Sequence, residues 1–285
     1  MKSFAKRNIL LYFRDIWAIL FSLLGVLIVV ALYALVLAKN LAESFAQFTS
    51  PNLLVAAWLM GGLCSITPVS TALGAMGALV TDRADGASRD FLTTPVAYYK
   101  LVGGYLAGGL LACTLLSLAV FGFGGLWLWG AGAQLPGPLW FLAIAGTLLL
   151  NNLAGGCMVF FIVTFLRTNA ALSAVSTVVG TLLGFLTGIY LPIGMLPEAM
   201  QWVVRIFPVS HGAVLLRYLL LQGPAAGAWA GLPQQPVAEA WELLGVRFSF
   251  GGNLFPLWGS VAVLAFCALL FFSLSLLSFR RNSKR

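Results

Sequence analysis

From Leu101 to Leu166 the chain carries no Asp, Glu, Lys, Arg or His. A bilayer core takes roughly 20 apolar residues of helix, so a run of this length is too long for one crossing and too apolar for a water-facing surface. The Gly- and Pro-rich segment WGAGAQLPGPLW, from Trp129 to Trp140, divides it into a hairpin. Composition extends the argument to the whole chain. At 61% hydrophobic and 8% charged residues it falls far from soluble domains, which carry about 25% charged residues. A sizeable soluble enzyme domain and a nucleic-acid-binding module are both excluded.

The uncharged runs predict an all-α membrane protein with six transmembrane helices, at 16–38, 53–80, 101–128, 139–166, 170–191 and 256–279. The first is too long for a signal-peptide core and is read as a retained anchor. Pro68, within the second, predicts a kink or local unwinding at mid-membrane. Lys and Arg near span ends stay on the cytoplasmic side. Placing both termini in the cytoplasm puts 12 of the 16 basic residues there and leaves Lys39, Arg205, Arg217 and Arg247 outside. The net charge of +8 is then mostly a topology signal plus attraction to anionic lipid.

Residues 1–15 place Ala5, Ile9, Tyr12 and Ile16 on one helical face and Ser3, Arg7 and Arg14 on the other. This predicts an amphipathic helix in the cytoplasmic membrane interface, with Lys6, Arg7 and Arg14 as its basic residues; a plain positive flank is the alternative. The cytoplasmic loop 81–100, TDRADGASRDFLTTPVAYYK, alternates acids with arginines. In it Asp85-Gly86 supplies a turn, Ser88 a helix cap and Pro95 a stop. It reads either as a shaped surface for a partner or as an ordinary solvated loop. Residues 192–223 are apolar but punctuated by Pro192, Pro197 and Pro208, and Glu198, Gln201 and Arg205 share one face. Neither piece is long enough to cross, which predicts a re-entrant helical hairpin between spans five and six. Residues 224–255 follow as an outer loop of open role.

The chain offers little catalytic chemistry. Cys64, Cys113, Cys157 and Cys267 sit in apolar runs without metal-ligand spacing, and no metal site is predicted. No G-x-x-x-x-G-K-[ST] phosphate loop is present. The six predicted spans hold no carboxylate, Lys, Arg or His, which argues against a proton-coupled carrier but not against sodium coupling. Ser210 and His211, adjacent on a helix, would point about 100° apart and make a poor hydrolytic pair. Gly180, Gly184 and Gly188, and Gly104 with Gly108, form small-xxx-small faces for close packing within the subunit or across a dimer. Ser65, Thr67, Ser70, Asn151, Asn152 and Thr187 either line a path or bond between helices. No substrate-binding residue is assigned.

A basic amphipathic N-terminus, six spans, DGASRDFLTTPVAYYKLVGGY after the second and YLPIGMLPEAMQWVVRIFPVSHGAVLLR after the fifth together resemble the type-two permease family of ATP-binding-cassette transporters. The resemblance implies a multi-pass cell-membrane subunit of an exporter for hydrophobic or amphiphilic cargo. It would dimerise with a second permease chain and be driven by a separate ATPase that supplies ATP and Mg chemistry, with no cofactor in this chain. It further implies that Asp85, Gly86, Arg89, Leu92, Thr93, Thr94 and Pro95 dock that ATPase, beside the N-terminal helix, and that spans one, two and five shift when ATP closes it. A stand-alone carrier or channel, and a membrane enzyme using His211, are the competing readings.

Overall fold

Asp15 sets the first corner of the chain. Its carboxylate accepts a hydrogen bond from the Ala18 amide at 3.0 Å and caps α2 (Ile16–Leu32) just where α1 (Lys2–Arg14) ends. The two helices meet at 74°. The computed structural model describes residues 2–33, 38–46, 48–87, 98–134, 136–229, 234–250 and 253–282. Helix α3 (Ala38–Ser44) is short, and α4 (Pro51–Met76) starts with proline in its first turn, where the missing N–H costs nothing.

Helix α4 runs unbroken through Pro68, so the unwinding expected there is absent. Flanking helices hold the site: the Cys113 thiol reaches the Pro68 carbonyl at 3.3 Å, and a methyl on Gly155 would lie 3.5 Å from the Pro68 ring. The interruption comes at Gly77, before α5 (Ala78–Ala84). There follow α6 (Tyr98–Gly130), α7 (Pro138–Val163) and α8 (Asn169–Leu186), the last capped by the Thr168 hydroxyl. Helices α9 (Glu198–Ile206) and α10 (Pro208–Gln222) join at Phe207 with a bend of 89°. Pro208 in the first turn of α10 and the extended Phe207 before it enforce that corner. Helix α11 (Gln234–Leu243), an antiparallel pair β1 (Ser249–Phe250) and β2 (Asn253–Leu254), and α12 (Leu257–Asn282) complete the chain.

Among the described residues five helical segments are long and apolar enough to cross a membrane, or up to seven if each bent pair counts as one span. The chain is therefore an all-α membrane protein. Helix α4 is its axis, packed by α2, α6, α7 and α10 and buried on almost every side; α12 packs on α7 and α10. By contrast α2 and α8 leave apolar faces outward, at Trp17, Phe21, Val178 and Leu182 among others.

Small residues decide the close contacts. A methyl on Gly104 would lie 2.8 Å from the Phe4 ring, and one on Gly108 would lie 3.0 Å from Cβ of Asn8, so this groove of α6 is filled by α1 of the same chain. Tyr190 and Ile193 cover Gly184 and Gly188, whereas Gly180 faces open space. Buried polar groups bond between helices: Ser65 donates to the Val209 carbonyl at 2.7 Å, Asn151 to the Ser65 carbonyl at 3.0 Å, and Ser117 to Asn152 at 2.9 Å. Thr67 and Thr187 return to their own helices. Cys64, Cys113 and Cys157 are buried thiols and Cys267 is half-buried.

Candidate functional site

Past Gly77 the chain continues from α4 into α5, which is fastened from two sides. The Arg7 guanidinium on α1 donates to both carboxylate oxygens of Asp82, at 2.9 and 3.0 Å, and the Tyr105 hydroxyl on α6 donates to the same carboxylate. Phe4 stands edge-on to Tyr105 and lies under Arg7, with its ring centre 5.4 Å from the guanidinium carbon. Hydrogen bonding to Asp82 raises the Arg7 pKa further above its ordinary value, so the guanidinium stays charged. On the opposite side Arg83 donates to the carbonyls of Val163, Thr164 and Leu166, at 3.4, 3.1 and 3.2 Å. A cation there adds bonds to carbonyls at the C-terminal end of α7, of which Val163 also accepts from the Leu166 amide, and complements the helix dipole. Thr81 adds a bond to Asn169 at the start of α8, at 3.1 Å.

Beyond this clamp Asp85 is exposed and Gly86 turns the chain with φ +81°, a conformation that favours glycine. Arg89, Leu92, Thr93, Thr94 and Pro95, together with the Ser88 cap, lie outside the described residues. Of the three basic residues named on the N-terminal helix, Arg7 is half-buried in the clamp, while Lys6 and Arg14 are exposed. Sequence reasoning treated Asp82 as one charge of an alternating loop. Its partner lies 75 residues away in sequence, so no local pattern could pair them.

The bidentate geometry predicts a measurable coupling. In a double-mutant cycle of Arg7→Ala and Asp82→Ala, read by thermal unfolding in detergent, the pair should show about 1–2 kcal/mol, above a solvated surface pair and below a dry one. Additive effects of the two substitutions would refute the clamp.

A second group escaped the sequence reading, which counted Arg217 among the outer basic residues. Arg217 is completely buried in α10 against α4. Its guanidinium carbon lies 4.7 Å from the Trp58 ring centre, its Nη2 donates to the Gly188 carbonyl at 3.2 Å, and its Nη1 has no partner among the described residues. The signal was present: one charge inside VLLRYLLL, in a piece otherwise apolar. An ionisable group at such depth is a candidate for function in its own right.

Among the other expected site residues, Pro192 is buried under the turn Ile193–Met195. Pro197 and Glu198 are exposed at the start of α9, with Glu198 suited to its N-terminal dipole, and Pro208 forms the corner. Ser210 and His211 do not face each other. Ser210 donates to the Leu186 carbonyl, while the His211 ring lies 2.9 Å from the Arg205 carbonyl through Nε2 and 3.0 Å from the Ser260 hydroxyl through Nδ1. Since a carbonyl only accepts, Nε2 carries a proton, and in the neutral ring Nδ1 accepts from Ser260. His211 thus ties α9, α10 and α12 together.

The family model described as ABC-2 type transporter matches residues 1–221. No match is found among curated proteins.

Proposed function

Because the chain belongs to the ABC-2 type transporter family, and is thus a membrane-embedded permease subunit, we propose that it works in the cell membrane as half of an ATP-driven exporter. In this reading both termini lie in the cytoplasm, α1 rests in the membrane interface, and α9 with α10 forms a re-entrant hairpin in the outer leaflet. A separate ATPase binds the loop that begins at Asp85 and Gly86 and continues through Arg89 and Leu92 to Pro95, and it supplies the ATP and Mg chemistry. The cargo is hydrophobic or amphiphilic.

The observation that carries this reading is the clamp at Asp82. The loop emerges from a stub bonded to α1, α6, α7 and α8 at once, so force applied at Gly86 reaches four helices without crossing a flexible joint. Nucleotide can drive the cycle because it binds one arrangement of the paired subunits better than the other. The outward apolar faces of α2 and α8 support pairing with a second permease chain, since the groove of Gly104 and Gly108 is already occupied.

Co-purification from the native host tests the proposal. Wild-type chain should bring down an ATP-hydrolysing subunit, and the Asp85→Ala, Arg89→Ala double variant should lose it while remaining monodisperse. A well-folded wild-type chain that retains no nucleotide-binding partner would favour a stand-alone carrier.

A further inference from the structure

Residues 239–249, past the family match, help to build a half-open cavity of mixed polar and apolar lining, about 340 Å³, against α9. Gln201 and Arg205 of α9, Glu239 and Glu242 of α11, and Arg247 with Ser249 beyond it line the space. Two guanidinium groups are held rigidly there. Arg205 lies over the rings of Trp202 and Phe250, at 5.4 and 5.5 Å, and Arg247 over those of Tyr218 and Trp241, at 5.4 and 5.9 Å. The Nε atom of each is withdrawn from solvent without a hydrogen-bond partner among the described residues. Glu239 and Glu242, one turn apart on α11, face the same cavity yet form no ion pair with either arginine. Two cations and two carboxylates thus share one chamber without an ion pair between them; Arg205 donates instead to Gln201 at 3.1 Å, and Glu239 accepts from Gln235 at 3.3 Å.

The position of the chamber narrows its ligand. Helix α9 turns Gln201 and Arg205 toward the cavity and leaves Met200, Val203 and Ile206 exposed on its other side. In a membrane that apolar face belongs in lipid, which sets the cavity at headgroup level. We infer that the cavity binds a zwitterionic phosphodiester headgroup, with the phosphate on Arg205 and Arg247 and the ammonium on Glu239 and Glu242. Planar guanidinium forks match phosphate oxygens, and the aromatic clamps fix them before the ligand arrives, so little side-chain freedom is lost on binding. The inference rests on the permease reading for the outward placement of the cavity, and it gives that reading's amphiphilic cargo, or a lipid that regulates its passage, a defined polar end.

Native mass spectrometry of the purified chain tests this without ATP or a partner, so failure here leaves the permease reading intact. Phosphatidylethanolamine should be retained by wild type in preference to phosphatidylglycerol. Arg205→Gln or Arg247→Gln should weaken that retention at least about tenfold, the scale of one lost charge-assisted contact. The double variant Glu239→Gln, Glu242→Gln changes only exposed side chains, and it should reverse the preference toward phosphatidylglycerol. Three results would each overturn the inference: retention indifferent to the arginines, an unchanged lipid preference in the glutamine variant, or displacement of lipid by equimolar inorganic phosphate, which would mark a simple anion site.

Discussion

Gly61→Val should leave almost no folded protein. A Cβ at position 61 of α4 would lie 2.8 Å from the Arg217 amide nitrogen and 2.9 Å from its Cα, and backbone atoms inside a helix cannot step aside as a side-chain tip can. The helices must separate, and with them go the Ser65 bond to the Val209 carbonyl and the seat of Arg217. Overpacking a core typically costs about 1–3 kcal/mol; contact with backbone along a whole helix crossing puts this case at or above the upper end. The control is Gly25→Val on α2, where nothing lies within 4 Å of a built Cβ. Yield of monodisperse protein and the thermal midpoint in mild detergent should collapse for the first variant and hold for the second. Equal behaviour of the two would mean that α4 and α10 do not meet as described.

Arg217 yields the second large effect, and here two terms oppose each other. Removing a fully buried side chain leaves a cavity worth about 2–5 kcal/mol. Removing its charge relieves a desolvation cost of several kcal/mol, against which the structure sets one aromatic face and two long carbonyl contacts, at 3.2 and 3.4 Å, and no carboxylate among the described residues. Arg217→Met keeps much of the volume and discards the charge, so it should melt at or above the wild-type temperature. Arg217→Ala also discards the charge but should melt well below Arg217→Met. If Arg217→Met transports poorly while folding well, the cation is retained for the transport cycle; if both variants unfold alike, the guanidinium itself holds α10 in place.

The helices were legible because their signal is local. Charges at Asp15, Lys100 and Arg167 bracket apolar runs, and Pro136, Pro138 and Pro208 mark where one helix ends and the next begins. What failed to show in the sequence depends on which surfaces meet. Pro68 suggested a kink or an unwound turn, yet the helix continues unbroken through it, packed by Cys113 and Gly155. Gly104 and Gly108 announced a close approach without naming the helix that would make it, which proved to be α1. Arg217 could be assigned a side of the membrane but not its burial, which is created by α4, more than 150 residues earlier in the chain. The docking residues from Arg89 to Pro95 rest on family resemblance alone, since a charged loop has the same composition whether it binds a partner or only water.

Asp82 and Arg83 are neighbours, yet they grip different helices: one holds α1 through Arg7, the other the C-terminal end of α7. Consecutive residues of a helix diverge by about 100°, so α5 acts as a short axle with two spokes. In the proposed exporter, a partner that moved the protruding end of this axle would displace its α1 and α7 anchors together rather than one at a time.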